Sequence, residues 1–335
     1  MRLVTIFKGT ALLEQLVILV VGLAILITGA ELLVHGSVNI AEKLGISALV
    51  VGLTVVAFGT SAPELFVSVN AALRNQADVS VGNVVGSNIF NILMIIGLSA
   101  VVAPIQISRS VMWREMPIML VVMGLFVWFG FDGAFSKKEG VLLFVGILTY
   151  LFYNYLFGDV EAFAEAQEEE DAHAIEQRYP WIKAIPVSVV LVILGILGLA
   201  YGSDLAVASA TTIARSMAIS ELVIGITLIA VGTSLPELAT TVVAASKGQP
   251  DLAVGNAIGS NVFNVLCVIG ITSAITPLDV NQSLINVDFY AMFAACLFCW
   301  VLMGTRRTIN RAEGAAMVLF YLGYTTYLLV MAQNA

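Results

Sequence analysis

Two segments of this 335-residue chain are nearly the same segment. Residues 52–97 and 225–270 align without a gap at a constant offset (237 − 64 = 173), with 25 identities in 46 positions. Each copy places one glutamate, Glu64 or Glu237, within a stretch that is otherwise apolar. An ionisable side chain inside a membrane span is costly and by default suggests a functional site. The duplication therefore predicts one site that is built from two matched halves.

The composition indicates that the chain lies in a membrane. Hydrophobic residues make up 59% of the chain, charged residues only 11%, and the mean hydropathy is +0.98. Many apolar runs reach about 20 residues, which is enough for a helix to cross ~30 Å of hydrocarbon. We therefore predict an all-α membrane protein with several spans. The composition offers no basic face that would bind nucleic acid.

The span count predicts an inverted repeat. The 173-residue offset also relates GAELLV at 29–34 to GSDLAV at 202–207, so the repeat unit is about five spans long. After five crossings the chain is on the other side, and the second copy must insert upside down. The ten predicted spans cover roughly residues 15–37, 46–73, 80–103, 113–131, 139–157, 184–209, 219–246, 252–276, 288–304 and 313–332.

The repeats predict a division of the chain into three parts. Residues 1–157 form the first five-helix repeat and residues 184–335 the second. The segment between them, 158–183, contains eight acids and is predicted to be a solvated cytoplasmic linker or short surface helix. A cation-sensing loop is the alternative, but the segment lacks EF-hand spacing. With the linker in the cytoplasm, nine Lys and Arg residues face that side and six the other, a modest positive-inside bias that places both termini outside.

The two copies of the motif GTSxPE predict that spans 2 and 7 are broken. Pro63 has no N–H group and crowds the carbonyl of Gly59, four residues earlier. It also disfavours helical geometry at Ala62, the residue before it. Pro236 has the same effect in the second copy. Irregular backbone at membrane depth is tolerated only within protein or beside a polar cavity, and a bound cation is one partner for the freed carbonyls.

The polar residues of both motifs are hard oxygen ligands. Thr60 and Glu64 are four residues apart and share a helix face, and the same holds in the second copy. In GNVVGSNIFN, three polar residues follow one another at intervals of four and form a stripe. Such oxygens suit Ca²⁺ or Na⁺ and argue against zinc or copper. The predicted metal ligands are Glu64, Glu237, Thr60, Thr233, Ser61, Ser234, Ser87, Ser260, Asn91 and Asn264.

Other polar residues of the repeat are predicted to have other roles. Packing contacts are expected for Asn83, Asn256 and the glycines of GNxxGS. Asn88 and Asn261 lie off the polar stripe, and the sequence does not decide between a packing role and a ligand role for them. The matched acids Glu31 and Asp204 are predicted to lie outside the ligand shell. Asp78 and Asp251 precede spans 3 and 8 and are predicted to be N-caps or first-turn acids.

The doubled pattern GTSxPE followed by GSNxxN resembles the α-repeats of the sodium/calcium exchangers in the cation/calcium antiporter superfamily, and most of all bacterial calcium/sodium antiporters. The resemblance implies ten helices around a central cluster of cation sites. It implies that Ca²⁺ binds the two glutamates and backbone oxygens at Thr60 and Thr233. Na⁺ would share the glutamates and use the serines and asparagines of the polar stripes, with carbonyls of Ala57 and Ala230. Spans 1 and 6 would slide across the core.

The function that we expect is antiport of Na⁺ against Ca²⁺, with Ca²⁺ leaving the cytoplasm across a bacterial inner membrane. The expected partners are these two ions and the bilayer, with no cofactor and no obligate protein partner. Some relatives of the family that the chain resembles carry aspartate at one or both of the positions of Asn91 and Asn264. Because both residues are amides here, the formal charge of the ligand set is −2, not −3 or −4. A GNAxEH-like motif of the proton-coupled branch is missing, which favours Na⁺ as the counter-ion.

Sodium/calcium exchange has three alternatives. A Ca²⁺/H⁺ antiporter and a passive cation channel both remain open from the sequence. An intramembrane enzyme is disfavoured, because no histidine lies near either motif and no HExxH sequence is present.

Overall fold

The computed structural model describes residues 2–157, 184–217, 230–282 and 284–334. Within these residues, eight helices are long and apolar enough to cross a membrane, and a bent helix pair forms a ninth span. The predicted linker 158–183 and the first half of span 7 lie outside the described residues. The predicted all-α, multi-span membrane fold is confirmed. Its count of ten spans stays a prediction, because span 7 is described only from Ala230 onwards.

The span boundaries agree with the predicted ones to within a few residues at most positions. Span 1 is the main correction, since its helix runs well beyond the predicted 15–37. Hydropathy marks only the part of a helix that is apolar, whereas backbone hydrogen bonds continue past it. The helices of the spans are Arg2–Leu44, Ala48–Thr60 with Ala62–Leu73, Ala77–Val102, Val111–Gly130, Lys137–Phe157, Ile185–Ser216, Leu235–Ser246, Pro250–Ile275, Leu284–Arg306 and Arg311–Asn334.

Four short strands show that the two repeats are inverted. Strands β1 (Ile105–Gln106) and β2 (Ala134–Phe135) lie at opposite ends of span 4, and β3 (Leu278–Asp279) and β4 (Thr308–Ile309) at opposite ends of span 9. The repeat offset matches β1 to β3, yet β1 pairs antiparallel with β4, and β2 pairs with β3. Matched strands are therefore at opposite faces of the molecule.

Spans 1 and 6 pack antiparallel along a glycine seam, which also requires inversion. A Cβ atom on Gly22 would lie 2.8 Å from the backbone nitrogen of Ala206, and one on Gly36 would lie 2.7 Å from the carbonyl oxygen of Ser188. The early part of span 1 thus meets the late part of span 6. Small residues let two membrane helices approach at backbone distance, where van der Waals contact is greatest.

Spans 3 and 8 form the centre of the protein. In their most apolar windows 78% and 83% of the residues are buried, against 33% for span 1, 28% for span 6 and 11% for span 10. A continuous apolar cluster surrounds them, and spans 4 and 9 meet in it through Phe126 and Phe289, whose ring centroids are 4.7 Å apart. The polar stripes of GNxxGSNxxN therefore lie in the most enclosed part of the fold.

Span 2 is broken one residue before the predicted position. Its two helices meet at an angle of 44°, and the residue between them is Ser61, with φ −83° and ψ 5°. Ala62 already begins the second helix, with Pro63 in its first turn, where a missing N–H group costs nothing. Span 7 has the same geometry at Ser234, with φ −92° and ψ 9°. The serines, and not Ala62 and Leu235, are the irregular residues.

The sequence did not predict the π-helical turns. They occur at Gly52–Val56, Phe90–Ile95, Val111–Glu115, Asn264–Ile269 and Leu284–Asp288. A π turn inserts one extra residue into a helix and is frequent at functional sites. Two of these turns contain Asn91 and Asn264, so the helices widen where the polar stripes end.

The glycine seam gives a direct stability test in Gly202→Ala. A Cβ on Gly202 would lie 2.5 Å from the backbone nitrogen of Leu26, and backbone cannot give way as a flexible side chain can. We expect this variant to lose about 1–3 kcal/mol of stability. The measurement is the midpoint of thermal unfolding in one detergent.

The matched control is Gly323→Ala on span 10. Gly323 is exposed, and a Cβ there meets nothing within 4 Å among the residues that the structure describes. Its unfolding midpoint should stay at or slightly above the wild-type value. Equal destabilisation by both variants would contradict the packing role of the seam.

Candidate cation-binding site

The two motif glutamates lie at equivalent places, just after the breaks in spans 2 and 7. Glu64 is in the first turn of helix Ala62–Leu73, and Glu237 is in the first turn of helix Leu235–Ser246. Both side chains are fully buried. The N-terminus of a helix carries partial positive charge, which stabilises a carboxylate placed there. The breaks therefore supply the helix ends that make these buried acids tolerable.

Each glutamate is held by a serine of the other repeat. Ser234 Oγ donates to Glu64 Oε1 over 2.9 Å, and Ser61 Oγ donates to Glu237 Oε1 over 3.0 Å. The serines are the irregular residues at the two breaks, so the same local geometry that ends one helix directs a hydroxyl across the pseudo-two-fold axis. The two halves of the site are thus interlocked.

The asparagines that open the polar stripes fasten spans 3 and 8 to the broken spans. Asn83 Nδ2 donates to the carbonyl oxygen of Glu64 over 3.3 Å, and Asn256 Nδ2 makes the same 3.3 Å bond to Glu237. Asn83 Nδ2 also donates to Ser68 Oγ, and Asn256 Nδ2 to Thr241 Oγ1. The packing role that we predicted for both asparagines agrees with these bonds.

The motif threonines contact the same two asparagines from the opposite repeat. Thr60 Oγ1 donates to Asn256 Oδ1 over 3.1 Å, and Thr233 Oγ1 donates to Asn83 Oδ1 over 3.4 Å. The hydroxyls of Thr60 and Thr233 are thus engaged with protein partners. A contribution from these residues to a bound ion is therefore expected to come mainly from their carbonyl groups.

The stripe serines lie against the serine–glutamate pairs. Ser87 Oγ is 3.1 Å from Ser234 Oγ, and Ser260 Oγ donates to Glu237 Oε1 over 3.5 Å. Ser260 Oγ is also 3.4 Å from Thr60 Oγ1. Span 3 therefore reaches the Glu64 half of the site and span 8 the Glu237 half.

Asn91 and Asn264, at the ends of the stripes, are buried completely. Asn91 Nδ2 donates to Asn261 Oδ1 over 3.2 Å, and Asn264 Nδ2 donates to Asn88 Oδ1 over 3.3 Å. Both bonds use the amide nitrogen and leave the amide oxygen for another partner.

Four buried oxygens of the predicted ligand set have no hydrogen-bond partner among the described residues. They are Glu64 Oε2, Glu237 Oε2, Asn91 Oδ1 and Asn264 Oδ1, two matched pairs under the repeat offset. Buried polar atoms normally have partners, so each exception requires an explanation. Carboxylate and amide oxygens are ligands that Ca²⁺ accepts. No cluster of three or more His, Cys, Asp or Glu side chains occurs among the described residues, so the candidate site consists of two carboxylates together with amide, hydroxyl and carbonyl oxygens.

The backbone carbonyls that are predicted to bind a cation or to lose a helical donor, at Ala57, Ala230 and the two helix breaks, are not all free in the structure. The Ala57 carbonyl accepts the backbone N–H of Ser61 at 3.0 Å, and the Thr60 hydroxyl lies 3.3 Å from the same oxygen as a second donor, so it is not a free group. The role of the Ala230 carbonyl stays a prediction, since the described part of span 7 begins there. The Gly232 carbonyl, which Pro236 deprives of its helical donor, accepts a 2.8 Å hydrogen bond from Ser203 Oγ on span 6.

The acids that we predicted to lie outside the ligand shell are at the periphery. Glu31 and Asp204 are exposed, and Glu31 Oε2 is 3.8 Å from Lys247 Nζ. Asp78 and Asp251 are first-turn acids and not N-caps, because Gln76 and Gln249 occupy the cap positions.

Sequence reasoning missed a second matched pair of intramembrane acids. Glu115 in span 4 is buried, receives the hydroxyl of Tyr150 at Oε2 over 3.0 Å and pairs with Arg114 Nε at 2.6 Å. Asp288 in span 9 accepts a hydrogen bond from the Tyr324 hydroxyl. The repeat offset (288 − 115 = 173) was the signal that could have identified them. Each acid is bonded to a tyrosine of another span. These bonds therefore link neighbouring helices and do not belong to the central cluster.

Comparison with known proteins agrees with the doubled motif. A sequence profile of the family described as "Sodium/calcium exchanger protein" matches residues 14–157 and, a second time, residues 187–330. The two matches correspond to the two repeats.

Several relatives match along nearly their whole length. "Putative antiporter CaxA" of Alkalimonas amylolytica is 38% identical over 93% of this chain and 98% of its own. "Inner membrane protein YrbG" of Escherichia coli is 36% identical over 90% and 92% of the two chains. "Sodium/calcium exchanger MaX1" of Methanosarcina acetivorans is 32% identical over 93% and 97%.

A solved structure matches at the level of the fold. The sodium-calcium exchanger NCX_Mj, soaked with zero Na⁺ and Ca²⁺, superposes with a TM-score of 0.80 at 30% sequence identity, over 95% of this chain and 99% of that one. Sequence profile, full-length relatives and fold agree: this chain is a membrane antiporter of the sodium/calcium exchanger family.

Proposed function

We propose that this protein exchanges Na⁺ for Ca²⁺ across the membrane, binding both ions at the cluster around Glu64 and Glu237. The observation that carries the proposal is the pair of buried carboxylates, one from each inverted repeat, each with one oxygen satisfied and one without a hydrogen-bond partner. A cation is a partner that suits these two oxygens and also the unpartnered amide oxygens of Asn91 and Asn264. The antiporter family of the chain supports the same conclusion.

The charge of the cluster sets what it can hold. Inserting a carboxylate at the centre of a membrane costs about 2.5–3.5 kcal/mol on the insertion scale, so two cost about 5–7 kcal/mol before their mutual repulsion. A single divalent ion neutralises the pair, and so do two monovalent ions. Competition between one Ca²⁺ and several Na⁺ for the same two carboxylates is the requirement for exchange at a shared site.

Movement of spans 1 and 6 is proposed to expose the site to each side in turn. The glycine seam makes the two spans one unit, and most of their surface is outside the core. The unit packs on the broken spans through a shared apolar cluster, and two of the contacts are at glycines, where Ile196 packs on Gly59 and Val207 packs on Gly232.

The direction of transport and the location follow from the same proposal. Inward Na⁺ flow would expel Ca²⁺ from the cytoplasm, with the linker 158–183 on the cytoplasmic side. A bacterial inner membrane is the proposed location, which the similarity to "Inner membrane protein YrbG" supports. Exchange of Ca²⁺ against H⁺ in place of Na⁺ is the competing hypothesis within the same family.

The coupling ion is tested by radiolabelled Ca²⁺ uptake. Proteoliposomes loaded with Na⁺ are diluted at fixed pH into Na⁺-free or Na⁺-matched buffer. We expect uptake only when the Na⁺ gradient is present. Uptake that ignores Na⁺ and follows an imposed pH gradient would establish the proton-coupled alternative, and uptake that follows the Ca²⁺ gradient alone would indicate a channel.

The variants Glu64→Gln and Glu237→Gln test the site. Each removes one carboxylate charge at nearly constant shape and leaves its partner carboxylate to hold the ion alone. Removing one partner of a buried pair of opposite charges, here a carboxylate and Ca²⁺, costs about 3–5 kcal/mol. Ca²⁺ affinity should therefore fall at least ~100-fold, and transport should stop. Glu14→Gln is the control, because Glu14 lies exposed on span 1. Normal exchange by either site variant would show that the site is elsewhere.

Thr60→Ala separates a carbonyl ligand from a hydroxyl ligand. The Thr60 hydroxyl is bonded to Asn256, and its loss removes one hydrogen bond worth about 1 kcal/mol. We expect Ca²⁺ affinity to weaken by a factor of about 5. Inactivation as complete as that of Glu64→Gln would mean that the hydroxyl itself binds the ion.

A further inference from the structure

Two short side-chain series, each a chain of three residues joined by hydrogen bonds, begin at the amides of Asn91 and Asn264. In the first, Asn91 Nδ2 donates to Asn261 Oδ1 over 3.2 Å, and Asn261 Nδ2 donates to Met119 Sδ over 3.7 Å. In the second, Asn264 Nδ2 donates to Asn88 Oδ1 over 3.3 Å, and Asn88 Nδ2 donates to Met292 Sδ over 3.6 Å.

The two chains are copies of one another and are completely enclosed. Every member is related to its counterpart by the 173-residue offset (264 − 91, 261 − 88 and 292 − 119). All six side chains have zero exposure. Each chain alternates between the repeats, as the serine–glutamate pairs do. Asn88 and Asn261, which lie off the polar stripe, thus have a defined place in the structure.

The methionine sulfur fixes the direction of each chain. A thioether accepts hydrogen bonds and cannot donate them. Asn261 must therefore present its NH₂ group to Met119, which leaves Asn261 Oδ1 as the group that faces Asn91. An oxygen there accepts only from the NH₂ group of Asn91. The oxygen of Asn91 is consequently turned away from the chain, and it has no hydrogen-bond partner in the described structure.

This orientation matters because the two ends of an amide have nearly the same shape. Packing alone does not distinguish the oxygen from the NH₂ group, so the hydrogen-bond network decides which one faces the site. An oxygen is a ligand for a cation, whereas an NH₂ group repels it. In the second chain, Met292 and Asn88 give Asn264 the same orientation.

We propose that Asn88 and Asn261 are positioning residues, each set by a methionine sulfur, that hold the amide oxygens of Asn264 and Asn91 toward the transported cation. The inference rests on the proposed function, because it assigns the two amide oxygens to the ion site. Partners that orient a metal ligand commonly contribute tenfold to 100-fold to metal affinity.

The test is a double-mutant cycle read by equilibrium binding of Ca²⁺ and of Na⁺ to the purified full-length protein. The variants are Asn88→Ala, Asn264→Ala and the two combined. We expect Asn88→Ala to weaken binding roughly tenfold to 100-fold. In the combined variant, the loss should equal that of Asn264→Ala alone, because Asn88 acts only through Asn264.

A merely structural role gives a different pattern. If Asn88 only packs the helices, its effect multiplies with that of Asn264→Ala in the combined variant, and the proposal is overturned. Met292→Leu keeps the volume and removes the sulfur acceptor, so it should weaken binding in the same direction by a smaller factor. Unchanged binding in Met292→Leu would overturn the role of the sulfur, even if Asn88→Ala failed to fold.

Two controls separate this inference from the proposed function. Asn154→Ala removes a buried asparagine of span 5 whose NH₂ group donates to the Tyr150 carbonyl and not to a member of either side-chain series, and it should leave ion binding unchanged. Wild-type protein that binds neither ion overturns the proposed function and this inference with it. Wild-type protein that binds Ca²⁺ together with multiplicative losses in the cycle overturns the positioning role alone.

Discussion

The crossed hydrogen bonds between Ser234 and Glu64 and between Ser61 and Glu237 are the interaction on which the rest of the structure depends. They require two acids in the membrane interior, two helix breaks that direct serines across the axis, and two repeats of opposite orientation. Each requirement appears elsewhere in the fold. The prolines place the helix ends, the strand pairs and the antiparallel seam of spans 1 and 6 express the inversion, and spans 3 and 8 enclose the acids.

The sequence predicted those parts that follow from composition and repetition. Hydropathy identified the spans, and the 173-residue offset identified the inversion and the matched glutamates. It did not predict what depends on the exact course of the backbone. The breaks fall at Ser61 and Ser234, because a proline is accommodated in a first helical turn and the residue before it is not forced out of the helix. The amides of Asn88 and Asn261 acquire meaning only through methionines that lie on spans 4 and 9.

The pseudo-symmetry is close in the site and looser around it. Ser203 on span 6 bonds the Gly232 carbonyl, but its counterpart on span 1 is Ala30, which has no hydroxyl (203 − 30 = 173). Glu115 is beside Arg114, whereas the position before Asp288 is Val287. These differences lie where spans 1 and 6 and the outer helices meet the core. The candidate cation site is therefore nearly two-fold symmetric, while its surroundings distinguish one side of the membrane from the other.

The crossed serines also constrain how the protein is made. Ser234, the donor to Glu64, follows it by 170 residues in the chain (234 − 64), so the first glutamate enters the bilayer long before the hydroxyl that will hold it has been synthesised. Until then the carboxylate lies in the first turn of helix Ala62–Leu73 without that donor. The first repeat is thus inserted before this hydrogen bond can form. A chain that ended between the two repeats would therefore carry Glu64 in the membrane without Ser234, its hydroxyl donor.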